Sequence, residues 1–481
     1  MEARLFFSLL LLFLIVDSGN AYKILVYNSK FAHSHSNYLG RVADILVEAG
    51  NNTSLIPIMD PSLRDGTLKS HVMYVQPDPE VASFYENPQE VNFFDINMWN
   101  PIAPFIIGAM FSNVFEKTCA KVVSEPGLID KLREEKYDVF IAESFDLCGI
   151  GIAKAINPKS VIGSSTTFIF GWQVDEFGVD AATSFRSNMM TVMSEDSSLY
   201  TRVWNIYAEL SARLAFLFPR LSINRVVKER FGADYPSIAE QSANVAYVIT
   251  NSEPLIESAS PTSSRVIDCP GLGAQTPKPL DEHWEEVLNR RNKTILLSFG
   301  SIAKSFQLSD DNKAGILKAI SKFPDVTFIW KYEKPEDEFC TNHASKLKNL
   351  VTTKWMPQVD ILNHTNLAAF ITHGGMGSTQ ETALRGVPGI FIPIFGDQLR
   401  NAAMMQFNGL GKVYDKRELH DGDKLAATIK EVIENKNYAE NSKRLSKMLV
   451  KKPFSSRDLL VKHVEFAAEF GEFSIPPFVS M

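Results

Sequence analysis

The stretch FITHGGMGSTQETALRGVPGIFIPIFGDQ, Phe370 to Gln398, decides the fold. It follows Ala368-Ala369 with three further strand residues, Phe370-Ile371-Thr372, the continuous apolar pattern of a buried strand. It then turns through His373-Gly374-Gly375-Met376-Gly377-Ser378 into a helical pattern. A strand that passes through a glycine-rich turn into a helix leaves backbone N–H groups and a helix N-terminus open to an anion, so the turn reads as a phosphate site. His373 at the strand end can donate to a diphosphate, or it can be structural. Ser378 and Glu381 have capping-box spacing, so Glu381 either caps the helix or accepts hydrogen bonds from a ribose diol. Spacing does not choose between these. A second strand, Gly389–Ile394, ends in Phe395-Gly396-Asp397-Gln398 and places an acid and an amide at the same rim, a pair suited to sugar hydroxyls. The turn is not GxGxxG and no acid follows at dinucleotide spacing, which disfavours a nicotinamide site.

Working outward, Lys354-Trp355-Met356-Pro357-Gln358 closes a preceding strand with a stacking face and an amide for a base edge. Ser298-Phe299-Gly300-Ser301 ends an earlier one in a small hydroxyl-bearing turn. Similar apolar runs recur along the chain. The first half has Tyr22–Asn28, Ser54–Ile58, Tyr137–Glu143, Ser160–Ser164 and Val245–Asn251. The second has Thr294–Phe299, Val326–Lys331, Leu350–Trp355, Ala368–Thr372 and Gly389–Ile394. Helical patterns such as Asn37–Ala49 and Leu425–Glu434 lie between them. This alternation predicts an α/β protein with two doubly wound parallel sheets facing across a cleft, with ligands beyond the carboxyl ends of the strands. The Ser-, Pro- and Gly-rich stretch 258–279 reads as a linker between domains 22–257 and 280–455. Residues 456–481 read as a C-terminal helix and tail too charged to span a membrane. The stretch Phe168–Arg220 has no strand rhythm and is rich in Phe170, Trp172, Phe185, Met189, Met190, Met193 and Trp204. It is either helical packing or an adaptable apolar wall for an acceptor.

The chain is 481 residues long with a formal net charge of −7, and no basic excess marks a nucleic-acid surface. Arg4, the apolar run Leu5–Val16 and the exit Gly19-Asn20-Ala21 read as a secretory signal peptide over residues 1–21; an uncleaved anchor is the alternative. In that pathway Asn51, Asn52, Asn292 and Asn363 become candidate N-glycosylation sites. Four cysteines, Cys119, Cys148, Cys269 and Cys340, are too few and too scattered to predict a disulfide framework or a metal site. The basic cluster Lys443, Arg444, Lys447, Lys451, Lys452 reads as a solvated helix face, or one that meets anionic headgroups.

The string Phe370-Ile371-Thr372-His373-Gly374-Gly375, with Glu381, Pro388, Pro393 and Asp397-Gln398 at fixed spacing, closely resembles the signature of the UDP-glycosyltransferases, the family that includes the glucuronosyltransferases. Trp355-x-Pro-Gln and Phe299-Gly300-Ser301 match that family's flanking motifs in order. The resemblance covers nearly all of the chain and is most specific from about Lys278 to Asn401. It implies a GT-B fold, two Rossmann-like domains with the donor held mostly by the second. Carried over by position, Trp355 stacks on uracil and Gln358 contacts uridine. Ser301, His373 and the backbone from Gly375 through Gly377 to Ser378 hold the diphosphate. Glu381 binds ribose, and Asp397 and Gln398 bind the sugar. Gly377 stands where many members have Asn, so a side-chain contact to the diphosphate is absent. UDP-glucuronic acid and UDP-glucose are both expected donors, and no cofactor is required.

Inverting sugar transfer needs a base on the acceptor hydroxyl and stabilisation of the departing UDP. The family places its catalytic His after the first strand, where this chain reads His33-Ser34-His35. Counting back from Gly50 favours His35, and counting forward from the strand favours His33; His35 is preferred. The family's Asp partner aligns with Glu143, one methylene longer, with Asp146 as the alternative. No metal enters this scheme, and the only D-x-D triplet, Asp421-Gly422-Asp423, reads as a helix-start turn. The expected product is a glycoside of a small lipophilic acceptor, made in the secretory pathway, in the endoplasmic reticulum lumen or as a secreted form. A non-catalytic UDP-sugar-binding relative is the alternative.

Overall fold

The computed structural model describes residues 21–471, apart from 31, 58–65, 68, 87–91, 98–99, 101, 175–176, 180–181 and 190–196. All but Ala21 of the expected signal segment, Met190, Met193 and the tail beyond 471 lie outside the described residues.

The first sheet is wholly parallel, with order β3-β2-β1-β4-β5-β6-β7. Its strands are β1 Lys23–Asn28, β2 Asn52–Pro57, β3 His71–Val72, β4 Val139–Glu143, β5 Ser160–Ser165, β6 Tyr247–Thr250 and β7 Val266–Asp268. The second is also parallel, with order β10-β9-β8-β11-β12-β13. Its strands are β8 Lys293–Ser298, β9 Val326–Lys331, β10 Leu350–Thr353, β11 Leu367–Thr372, β12 Gly389–Phe391 and β13 Gly411–Val413. Helices cover both faces, which is why Ile24, Leu25, Val26 and Tyr27 of β1 are all fully buried. The strand order reverses between β1 and β4 and again between β8 and β11. Crossovers leave such a point toward opposite faces and open a crevice at the carboxyl ends of the two strands. The two reversals therefore fix where a ligand can sit.

Three short strands, β3, β7 and β13, were not expected; two or three residues carry no periodicity to read. β7 falls inside the stretch read as a linker. The helix Ser456–Phe470 packs on the first sheet, burying Leu460, Val464, Ala467 and Ala468 with Ile24, Val26 and Ile141. The end of the described chain thus belongs to the core of its beginning.

The cysteine reading needs correction. Cys119 and Cys148 form a disulfide with Cα atoms 5.4 Å apart, tying the helix Ala103–Ser124 to the start of the helix Cys148–Ile156. The two are 29 residues apart in sequence, and only the packing of those helices brings them within bridging distance. Cys269 and Cys340 are buried and free.

The halves are joined by more than the linker. Residues Asn92–Ile96 reach from the first half onto the second. Phe93 packs on Phe395 at 4.5 Å and Phe94 meets Phe299 edge-on at 5.3 Å. The Lys416 ammonium donates to the carbonyls of Phe93 (3.1 Å), Ile96 (2.6 Å) and Ile394 (3.0 Å). Arg400 pairs through both its terminal nitrogens with Glu257 and lies 4.0 Å over the Phe168 ring.

Candidate functional site

The first half of the site lies at the β1/β4 reversal. The helix after β1 begins at His33, with Ala32 as its N-cap, four residues earlier than expected. His33 and His35 therefore stand in the first helical turn rather than in a loop. Two residues in a helix are about 200° apart, so these two imidazoles face opposite ways. His35 faces β4 and is buried, with Nδ1 3.2 Å from Oε2 of Glu143. Glu143 is fully buried, and its Oε1 accepts from the Phe145 amide at 3.3 Å. Thr166, just past β5, brings its hydroxyl to 2.7 Å from the same Nδ1. Sequence reasoning missed Thr166, although it stands at a strand end beside Glu143's own. Asp146 is turned elsewhere: its Oδ1 accepts from Cys148 N at 3.0 Å. Burial, and then the Glu143 charge, push the Asp146 carboxyl up to about 8. His33 faces the opposite domain, 6.1 Å from the Trp355 ring.

The second half lies at the β8/β11 reversal. After β11 the chain passes His373 and Gly374, which holds φ +77°, and the helix Met376–Arg385 starts with Gly375 as N-cap. The imidazole of His373 is wedged between two glycines. A Cβ at Gly300 would stand 2.6 Å from its Cε1, and one at Gly375 2.5 Å from its Nε2. Burial, reinforced by the Lys331 charge, holds His373 down at about 4, so it is a neutral donor at physiological pH. A Cβ on Gly377 would meet nothing within 4 Å, so the absent side chain leaves open space.

Ser378 is the third residue of this helix, not its cap, so the capping box that the spacing allowed does not form. Glu381 instead accepts from Gln358 Nε2 at 2.6 Å, and burial pushes its carboxyl up to about 7. Gln358 stands three residues after Trp355 in the connection that follows β10, and Trp355 is 63% exposed and presents its ring to the cleft. Lys331 ends β9, lies 5.1 Å over the Trp355 ring and donates to the Gly300 carbonyl. Lys304 donates to the Ser301 carbonyl. Two ammonium groups thus flank the Gly300-Ser301 turn. Sequence reasoning passed over both, although a lysine closing an otherwise apolar strand was a signal for Lys331.

At the end of the next segment, Asp397 accepts from Asn401 Nδ2 at 2.8 Å. Burial raises its carboxyl, opposed by Asn401 and by His35 across the cleft. The Oε1 of Gln398 accepts from the amides of Ile394 (2.9 Å) and Phe395 (3.1 Å), so the carbonyl holds the turn and a ligand could meet only the Nε2 side.

Beside His35 stands an aromatic wall. Phe170 stacks on Trp172 at 4.3 Å, Trp172 on Phe216 at 3.6 Å, and Phe145 meets all three within 6.3 Å. Met376 joins this cluster from the opposite domain, and Met189 packs against it. Phe185 is half exposed, and Trp204 stacks instead on Tyr207. Of the sequons, Asn52, Asn292 and Asn363 are exposed, whereas Asn51 is buried with its amide donating to Glu465 at 3.2 Å. Asp421 caps the helix Gly422–Glu434, and Asp423 pairs with Lys318 and Lys322.

A family model described as UDP-glucoronosyl and UDP-glucosyl transferase matches residues 41–470, spanning both sheets. A Caenorhabditis briggsae protein named as a UDP-glucuronosyltransferase, ugt-47, is 27% identical over 96% of this chain and 87% of its own length. Human UDP-glucuronosyltransferase 1A10 is 27% identical over 74% of this chain and 65% of its own. Among solved structures, the spinosyn forosaminyltransferase SpnP aligns with a TM-score of 0.61 at 14% identity, covering 93% of this chain and 99% of that one. That likeness bears on the fold alone and agrees with the GT-B arrangement of two facing Rossmann-like domains. With the family model spanning both sheets, the chain belongs to the UDP-glucoronosyl and UDP-glucosyl transferase family and is a glycosyltransferase that uses a UDP-sugar.

Proposed function

We propose that the enzyme transfers glucuronic acid or glucose from its UDP conjugate to a hydroxyl of a small lipophilic acceptor, with inversion and without a metal ion. One observation carries this reading. A buried His–carboxylate pair, His35 with Glu143, and a nucleotide-shaped set, His373, Glu381 and Gln358, occupy the two reversal crevices and face each other across one cleft. With Nδ1–H of His35 donated to Glu143, Nε2 takes the acceptor proton as the acceptor oxygen attacks the anomeric carbon. Glu143 orients the ring and stabilises the imidazolium that forms. The bond to UDP breaks as the glycosidic bond forms. The charge growing on UDP meets His373, the Met376 helix N-terminus, and the ammonium groups beside the Gly300-Ser301 turn. Asp397 and Gln398 take sugar hydroxyls. The stacked wall of Phe170, Trp172 and Phe216 suits an apolar, ring-bearing acceptor. The Cys119–Cys148 bridge supports folding in the oxidising lumen of the secretory pathway, with glycans on the exposed Asn52, Asn292 or Asn363.

The test is UDP release by purified protein given UDP-glucuronic acid or UDP-glucose and a phenol. Turnover that survives His33→Ala and is nearly abolished by His35→Ala is expected. Full activity in His35→Ala would remove His35 as the base. UDP binding with no turnover across a broad acceptor panel would refute transfer to such acceptors.

A further inference from the structure

A groove of about 1130 Å³ opens away from the cleft, between the edge strand β7 and the helices Lys436–Val450 and Ser456–Phe470. It lies at the far end of the Met376–Arg385 helix from the diphosphate turn. There Ser446 donates to the Leu384 carbonyl at 2.6 Å, and a Cβ on Gly386 would abut the Lys443 backbone.

The floor of the groove is apolar: Leu255 and Val266 from the first half, Met448, Phe454 and Leu459 from the second. Its rim is basic. Lys443 and Lys447 stand at i, i+4 on one face of the helix Lys436–Val450, with Arg444 beside them and Lys451 at its C-cap. Like charges at this spacing destabilise a helix, so the row favours an outside anion. Among the described residues none of these four has a carboxylate within 4 Å, in a chain whose net charge is −7. Of the acids of the groove, Glu253 is taken by Lys452 at 3.0 Å, which leaves Asp268, held by the Thr250 hydroxyl, and Glu440 against the four cations. Beside the cations, Val450 and Phe454 are 75% and 67% exposed. Exposed apolar side chains set among unpaired cations match the boundary between phospholipid headgroups and acyl chains. A purely ionic partner such as an acidic peptide has no use for the apolar floor.

We propose that this groove docks on anionic phospholipid at a membrane surface. Lys443, Arg444, Lys447 and Lys451 take headgroup phosphates and carboxylates, and Val450 and Phe454 enter the acyl boundary. The full chain is floated with vesicles of phosphatidylcholine alone and with about one-third phosphatidylserine. Flotation is expected only with phosphatidylserine, weakening as salt is raised. The exposed pair Lys443→Glu/Lys447→Glu should lower the apparent affinity at least about tenfold, and Phe454→Ser should lower it as well. Both should leave turnover of a soluble acceptor without vesicles, and the melting temperature, unchanged. Equal flotation of the double variant and the unmodified chain would overturn the assignment. So would flotation that ignores phosphatidylserine, and so would none at all.

Discussion

Replacing Glu143 by Asp, the residue the family resemblance places there, should impair this enzyme rather than leave it unchanged. The Glu143 carboxylate sits 3.2 Å from His35 Nδ1 and is fully buried at the end of a strand. The strand fixes the Cα, since Glu143 pairs in register with Ser164 of β5. Shortening the side chain by one methylene draws the carboxylate back by about 1.3–1.5 Å. The contact then opens to roughly 4.5 Å, past hydrogen-bond reach. A misplacement of about 1 Å in a catalytic group costs on the order of 100-fold, so kcat should fall about 10–100-fold. The KM for the UDP-sugar, which is held by the other domain, should stay within about twofold. Glu143→Gln keeps the length and loses the charge that opposes the imidazolium, and should lower kcat by about 10²–10⁴. The lost methylene costs about 0.8 kcal/mol of burial, too little to unfold the protein. Initial rates of UDP release across UDP-sugar and acceptor concentrations separate kcat from KM. Unmodified kcat in both variants, or a loss confined to donor KM, would refute the dyad.

Gly375→Ala puts a methyl 2.5 Å from His373 Nε2, where about 3.4 Å is the ordinary limit, so the imidazole must shift by about 0.9 Å. A stability loss of about 1–3 kcal/mol in urea unfolding and weaker UDP binding are expected. Burial holds the Glu381 carboxyl at about 7, and ribose hydroxyls donating to its ionised form would lower this value and release a proton on nucleotide binding. Uridine affinity by calorimetry should therefore rise between about pH 6 and about pH 8, and Glu381→Gln should flatten that rise. Lys331→Met removes one ammonium from the Gly300-Ser301 turn. UDP affinity should drop about tenfold with uridine affinity within about twofold, whereas an equal loss for both would assign Lys331 to the Trp355 platform instead.

The fold was legible because every central strand is buried on both faces and so reads as an uninterrupted apolar run, as in Val326–Lys331. Edge strands such as Gly411–Val413 are too short to carry that signal. The candidate donor residues could be read as a unit because the glycines, His373 and Glu381 fall in one contiguous segment. His35 and Glu143 were named from the sequence and do meet, but His33 and His35 are separable only by helical phase, and the phase depends on where the helix begins. The sequence placed that start near Asn37, but it lies at His33, capped by Ala32, which carries no side-chain cap to announce it. Lys304 was passed over although Ser301 stands only three residues before it, whereas Thr166 and Lys331 were missed because each matters through a neighbour distant in sequence. The Cys119–Cys148 bridge was missed for the same reason.

The helix Ser456–Phe470 has a consequence for how the chain is made. Leu460, Val464, Ala467 and Ala468 complete one face of the first sheet, yet roughly 190 residues separate them from β7, its last strand. At about 5–20 residues per second, a ribosome needs on the order of 10–40 s to bridge that interval. Through that time the nascent first half holds Ile24, Val26 and Ile141 without their final cover. The two halves therefore do not mature one after the other in the order of translation. The first is finished last, and a nascent chain stalled before Leu460 would present that apolar face to chaperones.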